Sequence, residues 1–108
     1  MDYPEVKRLA AEAAAACRAV MGSPLDVAIT SNLRSVIGPL AERSFEPLDG
    51  VPPYKRGLIN QSAFLAEVLR DRLDDGASGA DHPKKARSVA HGAASLLAIL
   101  EDFMKETE

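Results

Sequence analysis

Residues 83–105, PKKARSVAHGAASLLAILEDFMK, carry the clearest helical pattern in this chain of 108 residues. Small and apolar residues recur there at alternating intervals of four and three, the period that places side chains on one face of an α-helix. They are Ala86, Ala90, Ala93, Leu97, Leu100 and Met104, and Val89, Leu96 and Phe103 broaden the same stripe. The pattern predicts a long amphipathic helix with a buried aliphatic side.

Two more stretches have the same helical period. One runs from about Pro4 to Met21, where Asp2 can act as the cap, and the other from about Tyr54 to Leu73. Their predicted buried stripes are Val6, Leu9, Ala13, Cys17 and Val20 in the first, and Leu58, Ile59, Phe64, Leu65, Val68 and Leu69 in the other. Each stretch is therefore expected to pack one side against a common core.

A further helix is expected to begin at Ser23-Pro24, where a capping hydroxyl precedes a proline at the first helical position. Gly38-Pro39 should kink this helix, or break it and leave a short helix to about Arg43, because proline lacks an N–H donor. Residues 44–53 contain three prolines and a glycine, which predicts a loop. The apolar loop residues, which are expected to lie on the bundle, are Phe45, Leu48 and Val51.

These features predict an all-α protein, an antiparallel four-helix bundle in which residues 1–108 form a single domain. Aromatic residues make up 5% of the chain and there is no Trp, so the core must consist mainly of Leu, Ile, Val and Ala. That composition favours helix-on-helix packing over a sheet, which draws on aromatic and β-branched residues.

Charge and composition argue against several classes of function and location. The net charge of −3 argues against a general nucleic-acid binder, which usually carries a basic face. The longest apolar stretches fall well short of the roughly 18 residues that a membrane span needs, and the N-terminus has no signal-peptide pattern. A single cysteine, Cys17, cannot form an intramolecular disulfide and is expected to be a buried thiol. A cytoplasmic location is the resulting expectation.

His91 is expected on the exposed side of the last helix. The stretch around it, residues 89–97 (VAHGAASLL), resembles the phosphoacceptor helix of two-component signalling proteins. In those families an exposed histidine on a helical bundle takes a phosphoryl group, so the resemblance implies His91 as the acceptor. The sequence departs from the transmitter pattern at Gly92, and from the phosphotransfer pattern at Ala94 and Ser95. We favour an ordinary surface histidine and keep phosphotransfer as the alternative.

Arg87 and His91 also resemble the Arg and His pair of HEPN-class nucleases, which are helical bundles of similar size. The spacing of four places both side chains on one helix face. Only three residues lie between them, one fewer than that pattern requires.

A basic group of residues begins the last predicted helix, where free N–H groups favour anions. The candidate anion-binding or partner-binding residues are His82, Lys84, Lys85, Arg87 and His91. Neutralisation of this group by nearby Asp74, Asp75 and Asp81 is the interpretation we favour, with a docking surface for another protein as the alternative.

The sequence contains no standard metal-ligand or catalytic constellation, so neither a metal nor another cofactor is expected. The polar run Asn60-Gln61-Ser62, near the apolar face of the third predicted helix, is interpreted as a register or interface device. Alanine-rich segments in the first and last helices should pack together within one bundle, or else against a second copy in a homodimer. The function most consistent with these features is a non-enzymatic module that binds another protein and regulates or adapts it.

Overall fold

A computed structural model describes residues 1–22, 26–74 and 83–105 of the chain, without the side chains of residues 83 and 84. Four helices account for most of these residues: α1 (Tyr3–Gly22), α2 (Val27–Ala41), α3 (Pro53–Asp74) and α4 (Pro83–Met104). Within the described ranges there is no strand, only one isolated β-bridge between Asp2 and Asp49. The all-α prediction is therefore confirmed.

Aspartates cap the first two helices. The carboxylate of Asp2 accepts a hydrogen bond of 3.1 Å from the Glu5 N–H, as the sequence predicts for α1. In α2 the cap is Asp26, whose carboxylate accepts a hydrogen bond of 2.8 Å from the Ile29 N–H. The predicted start at Ser23-Pro24 is therefore wrong as the capping position of this helix, and residues 23–25 themselves lie outside the described ranges.

α2 continues through Gly38-Pro39 without a break and ends at Ala41. Proline removes one helical hydrogen bond, but Pro39 stands so near the end of α2 that few later bonds depend on it. The backbone beyond Pro39 remains hydrogen-bonded, because the Glu42 N–H donates to the Gly38 carbonyl over 2.9 Å. The alternative of a break followed by a short helix to about Arg43 is therefore wrong, since α2 is continuous to Ala41 and Arg43, beyond its end, has a left-handed φ of 56°. The kink stays a prediction.

The loop between α2 and α3 is attached to the bundle by its apolar residues and by Arg56. Phe45 is fully buried, Val51 nearly so and Leu48 partly so, which confirms the expectation for this loop. The Arg56 guanidinium donates from Nε to the Val51 carbonyl over 3.0 Å and from Nη2 to the Leu48 carbonyl over 3.3 Å. One side chain of α3 therefore holds the loop against its own helix.

Two hydrogen bonds fix the direction of α4 relative to α3. At one end, Nζ of Lys55 donates to the Lys105 carbonyl over 2.8 Å. At the other end, Nη1 of Arg72 donates to the Ser88 carbonyl over 3.0 Å. The start of α3 thus lies by the end of α4, and these two helices run antiparallel. The antiparallel order of all four helices stays a prediction.

Small residues bring neighbouring helices close together. α1 contacts both α2 and α4, and its buried face includes the four alanines Ala10, Ala13, Ala14 and Ala16. Between α3 and α4, a Cβ atom on Gly92 would lie 3.1 Å from Cδ1 of Leu69 and 3.2 Å from Nη1 of Arg72. Gly92 therefore sets how near the backbone of α4 comes to α3.

We expect Gly92→Leu to lower the free energy of unfolding by about 1–3 kcal/mol, because the added side chain has no space between α3 and α4. Gly57→Ala is the matched control, since a Cβ there would meet nothing within 4 Å. It should raise stability by about 0.5–1 kcal/mol through helix propensity alone. Urea denaturation of both variants tests this, and equal effects would contradict the close approach at Gly92.

Candidate interaction surface

The basic group predicted at the start of α4 is divided in the structure. Arg87 and His91 are exposed and lie one turn apart on the same face of α4. Lys85 is partly buried, and its charge contributes to lowering the pKa of Asp74. His82 and the side chain of Lys84 lie outside the part of the chain that the structure describes.

Asp74 has a stronger partner than the lysines that the sequence suggested. Its two carboxylate oxygens accept hydrogen bonds of 2.6 and 2.9 Å from Nε and Nη2 of Arg34 on α2. This bidentate hydrogen bond is the main reason why the pKa of Asp74 is lowered. The ion pair therefore joins α2 to the end of α3.

On its C-terminal side, His91 is followed on the same face of α4 by small, uncharged side chains, whereas Arg87 lies one turn before it. Ala94 and Ser95, three and four residues along α4, are small and partly buried, and Ala98 is exposed. The imidazole has no hydrogen-bond or ion-pair partner among the described residues. The exposure that the helical pattern predicts for His91 is confirmed.

A second exposed surface lies on α3, and we call it the α3 outer face. It consists of Arg56, Asn60, Phe64, Glu67 and Asp71, spaced at intervals of three and four. Phe64 at its centre is 58% exposed, so its predicted place in the buried stripe is wrong. Ser62 and Ala66, each two positions from Phe64, are fully buried. Because two residues along a helix turn a side chain about 200° around the axis, Phe64 lies on the opposite, exposed side of α3.

An open groove adjoins the N-terminal half of the α3 outer face. It has a volume of about 510 Å³ and is lined by Glu46, Pro47, Leu48, Arg56 and Asn60. The groove exists because the Arg56 guanidinium holds the loop beside α3. Sequence reasoning could not find it, since it depends on contacts between the loop and a helix that no local pattern reports.

Charge on the α3 outer face changes sign along the helix. Arg56 provides the positive end, and Glu67 and Asp71 provide the negative end beyond Phe64. The Glu67 carboxylate lies 3.5 Å from Nη1 of Arg43 and its side chain is still 44% exposed. Asp71 is exposed and has no hydrogen-bond or ion-pair partner among the described residues. The negative end can therefore accept further hydrogen bonds.

Lys55 is the buried charged residue of α3, with 3% of its surface exposed. Its ammonium donates to the Lys105 carbonyl and lies 5.4 Å from the ring centroid of Tyr3 and 5.6 Å from that of Phe103. Sequence reasoning missed this residue, although its position four residues before the buried Ile59 indicated the core side of α3. All its contacts tie chain segments together, which indicates a structural role.

Cys17 is fully buried, as expected from its place in the α1 stripe. Burial raises the pKa of its thiol from 9.0 to about 12, against the opposing effect of the Arg18 charge. The thiolate is the reactive form, so Cys17 cannot act as a nucleophile near neutral pH.

The described residues contain no group of three or more His, Cys, Asp or Glu side chains placed to hold a metal ion. None of the helices in the described ranges combines the length and the apolar character needed to cross a bilayer.

The Cys17 pKa predicts two measurable properties. A thiol reagent at pH 8 should label the unfolded protein quickly and the folded protein only through rare opening. The neutral thiol is favoured by the fold, so its contribution to stability is full below pH 9.0 and is lost as the pH rises toward 12. Relative to Cys17→Ala, the wild type should therefore lose stability across that range. Rapid labelling of the folded protein would contradict the assignment.

Comparison with known proteins gives no relative. The chain matches no protein-family model, no curated protein and no solved structure. The resemblance of residues 89–97 to a phosphoacceptor helix therefore stays a prediction. Any partner of this protein has to be inferred from the chemistry of its own surface.

Proposed function

We propose that this chain is a non-enzymatic, cytoplasmic protein-interaction module that adapts or regulates another protein, and that the α3 outer face is its contact surface. The exposure of Phe64 at the centre of that face carries the proposal. An aromatic side chain in that position adds little to folding, because water already surrounds most of it. It could contribute roughly 2 kcal/mol if a partner covered it.

The surroundings of Phe64 have the composition of a protein-binding surface. Aromatic and arginine side chains are enriched among the residues that dominate binding energy. Here Phe64 and Arg56 stand on one helix face, and Asn60 lies between them with an exposed amide. The groove beside Arg56 and Asn60 adds a concave region with apolar walls at Pro47 and Leu48. Together these residues provide an apolar centre, polar neighbours and a recess.

The chemistry of the described residues supports a binding role over a catalytic one. The buried Cys17 thiol stays protonated, and the buried Lys55 ammonium is occupied by a carbonyl and two rings. The groove side chain Arg56 already donates to two loop carbonyls. None of these groups is placed as a nucleophile with an adjacent general base.

We expect Phe64→Ala to abolish capture of a partner while changing the free energy of unfolding by less than about 0.5 kcal/mol. Val27→Ala is the matched control, because Val27 is 74% exposed and belongs to α2, not to the α3 outer face. Wild type and both variants would be immobilised and exposed to an extract of the source cell, with bound proteins quantified by mass spectrometry. Partners retained by Phe64→Ala at wild-type levels, or capture of this chain alone, would contradict the proposal.

A second candidate function, phosphoryl transfer through His91, is favoured by one observation. The imidazole is exposed, has no partner among the described residues and stands among small side chains that would let another domain approach. In this function the imidazole would accept a phosphoryl group from a donor and pass it to a second protein.

If His91 is a phosphoacceptor, incubation with phosphoramidate should give the protein a label that is stable to alkali and lost in acid. The label should disappear in His91→Ala and persist in His82→Ala, which removes the other histidine of the chain. Intact-mass measurement after each treatment reads the result. An unlabelled wild type, or equal labelling of the two variants, would exclude this function.

A further inference from the structure

We propose that the partner of the α3 outer face is the same face of a second copy, packed antiparallel about a two-fold axis beside Phe64. This inference rests on one part of the proposed function, that the α3 outer face is a contact surface, and it names a second copy of this chain as the occupant of that surface. The order of the five residues along α3 carries the inference. When a second copy is turned end to end, its basic and amide residues face the acidic residues of the first copy.

The positions of the charged residues define the axis. In an antiparallel helix pair about a two-fold axis, residues equally far from the axis on opposite sides face each other. Arg56 and Asp71 are equally far from the midpoint between positions 63 and 64, and Asn60 and Glu67 are equally far from the same midpoint. One axis therefore satisfies both pairs, and it passes beside Phe64.

Each facing pair combines a donor with an acceptor. Arg56 uses Nε and Nη2 for loop carbonyls, and its remaining N–H groups can donate to the Asp71 carboxylate of the second copy. The Asn60 amide can donate to Glu67, whose side chain remains 44% exposed beside Arg43. A parallel pairing would instead place like charges together. The antiparallel order is thus the one that the charges favour.

The apolar contact lies at the axis. Two copies of Phe64 would meet there, in a position where an aromatic pair gains from both burial and ring geometry. The groove residues Pro47 and Leu48 flank the Arg56 end and would be partly covered by the acidic end of the second α3. Because a single helix pair covers less area than a standard interface, the dimer should be weak, with a dissociation constant in the micromolar range.

A charge-reversal pair tests this arrangement. In Arg56→Glu, acids face acids twice per dimer, and in Asp71→Arg, arginines face arginines twice. Each variant alone should dimerise at least about tenfold more weakly than the wild type. An equimolar mixture should form a heterodimer, because both facing pairs then carry opposite charges. Sedimentation equilibrium of each sample, across the micromolar range, measures the association.

The matched control is Asp102→Arg, which reverses an exposed acid on α4 and should dimerise like the wild type. Circular dichroism shows whether Arg56→Glu, which also loses its bonds to the loop, is still folded. A second variant, Phe64→Cys, tests the axis without altering any charge. It should form a disulfide-linked dimer on mild oxidation, whereas the exposed control Val27→Cys should not. Cys17 is buried and should not contribute to this reaction.

The outcomes distinguish a failure of the dimer from a failure of the proposed function. A wild type that stays monomeric, a mixture that gives no heterodimer, or equal cross-linking of both cysteine variants would overturn the dimer. If Phe64→Ala nevertheless loses capture of another protein, the proposed function stands without it. A dimer that follows the charge pattern, in a protein that captures only itself, would support the dimer and overturn the adaptor role.

Discussion

The approach of α4 to α3 at Gly92 illustrates the constraint on which the whole fold depends, the short distance between helices. A Cβ atom at Gly92 would already crowd Leu69 and Arg72, and α1 presents alanines to its neighbours. Phe45 and Phe103 are the largest fully buried side chains among the described residues. Small side chains bury little area each, so favourable packing requires the backbones to lie close together. The fold is therefore sensitive to added volume at its helix contacts.

Because the helices pack closely through apolar side chains, the hydrogen bonds and ion pairs between them lie at the sides of the helix contacts. Arg34 with Asp74, and Arg72 with the Ser88 carbonyl, connect α3 to its two neighbours along its flanks. Since both flanks of α3 are occupied, only its outer side remains for another molecule. The loop after α2 is held beside that side by Arg56, which also lines the groove. The same arginine thus organises a loop and shapes a binding surface.

Helical period in the sequence is sufficient to predict that the chain forms four helices, because burial of a helix face follows directly from spacing. The attachment of the loop follows instead from the apolar character of Phe45 and Val51, which are buried although the segment has no regular structure. Helical period is not sufficient where two local signals compete. Asp26 caps α2 although Ser23-Pro24 also fits a helix start, and Pro39 stands too near the helix end to break it. Phe64 was misplaced because hydrophobicity alone assigned it inward, whereas the direction of the α3 stripe turns it outward. The groove could not be predicted, since it depends on a loop folding back onto a helix.

The hydrogen bond between Lys55 and Lys105 restricts the two positions that it joins to different degrees. The Lys55 ammonium bonds to the main-chain oxygen of Lys105, an atom that every amino acid supplies at that place. The identity of residue 105 is therefore unimportant for the bond, and many replacements there would preserve it. Position 55, in contrast, needs a long cationic side chain that reaches past Tyr3 and Phe103. The donor position of this hydrogen bond thus tolerates few amino acids, whereas the acceptor position tolerates many.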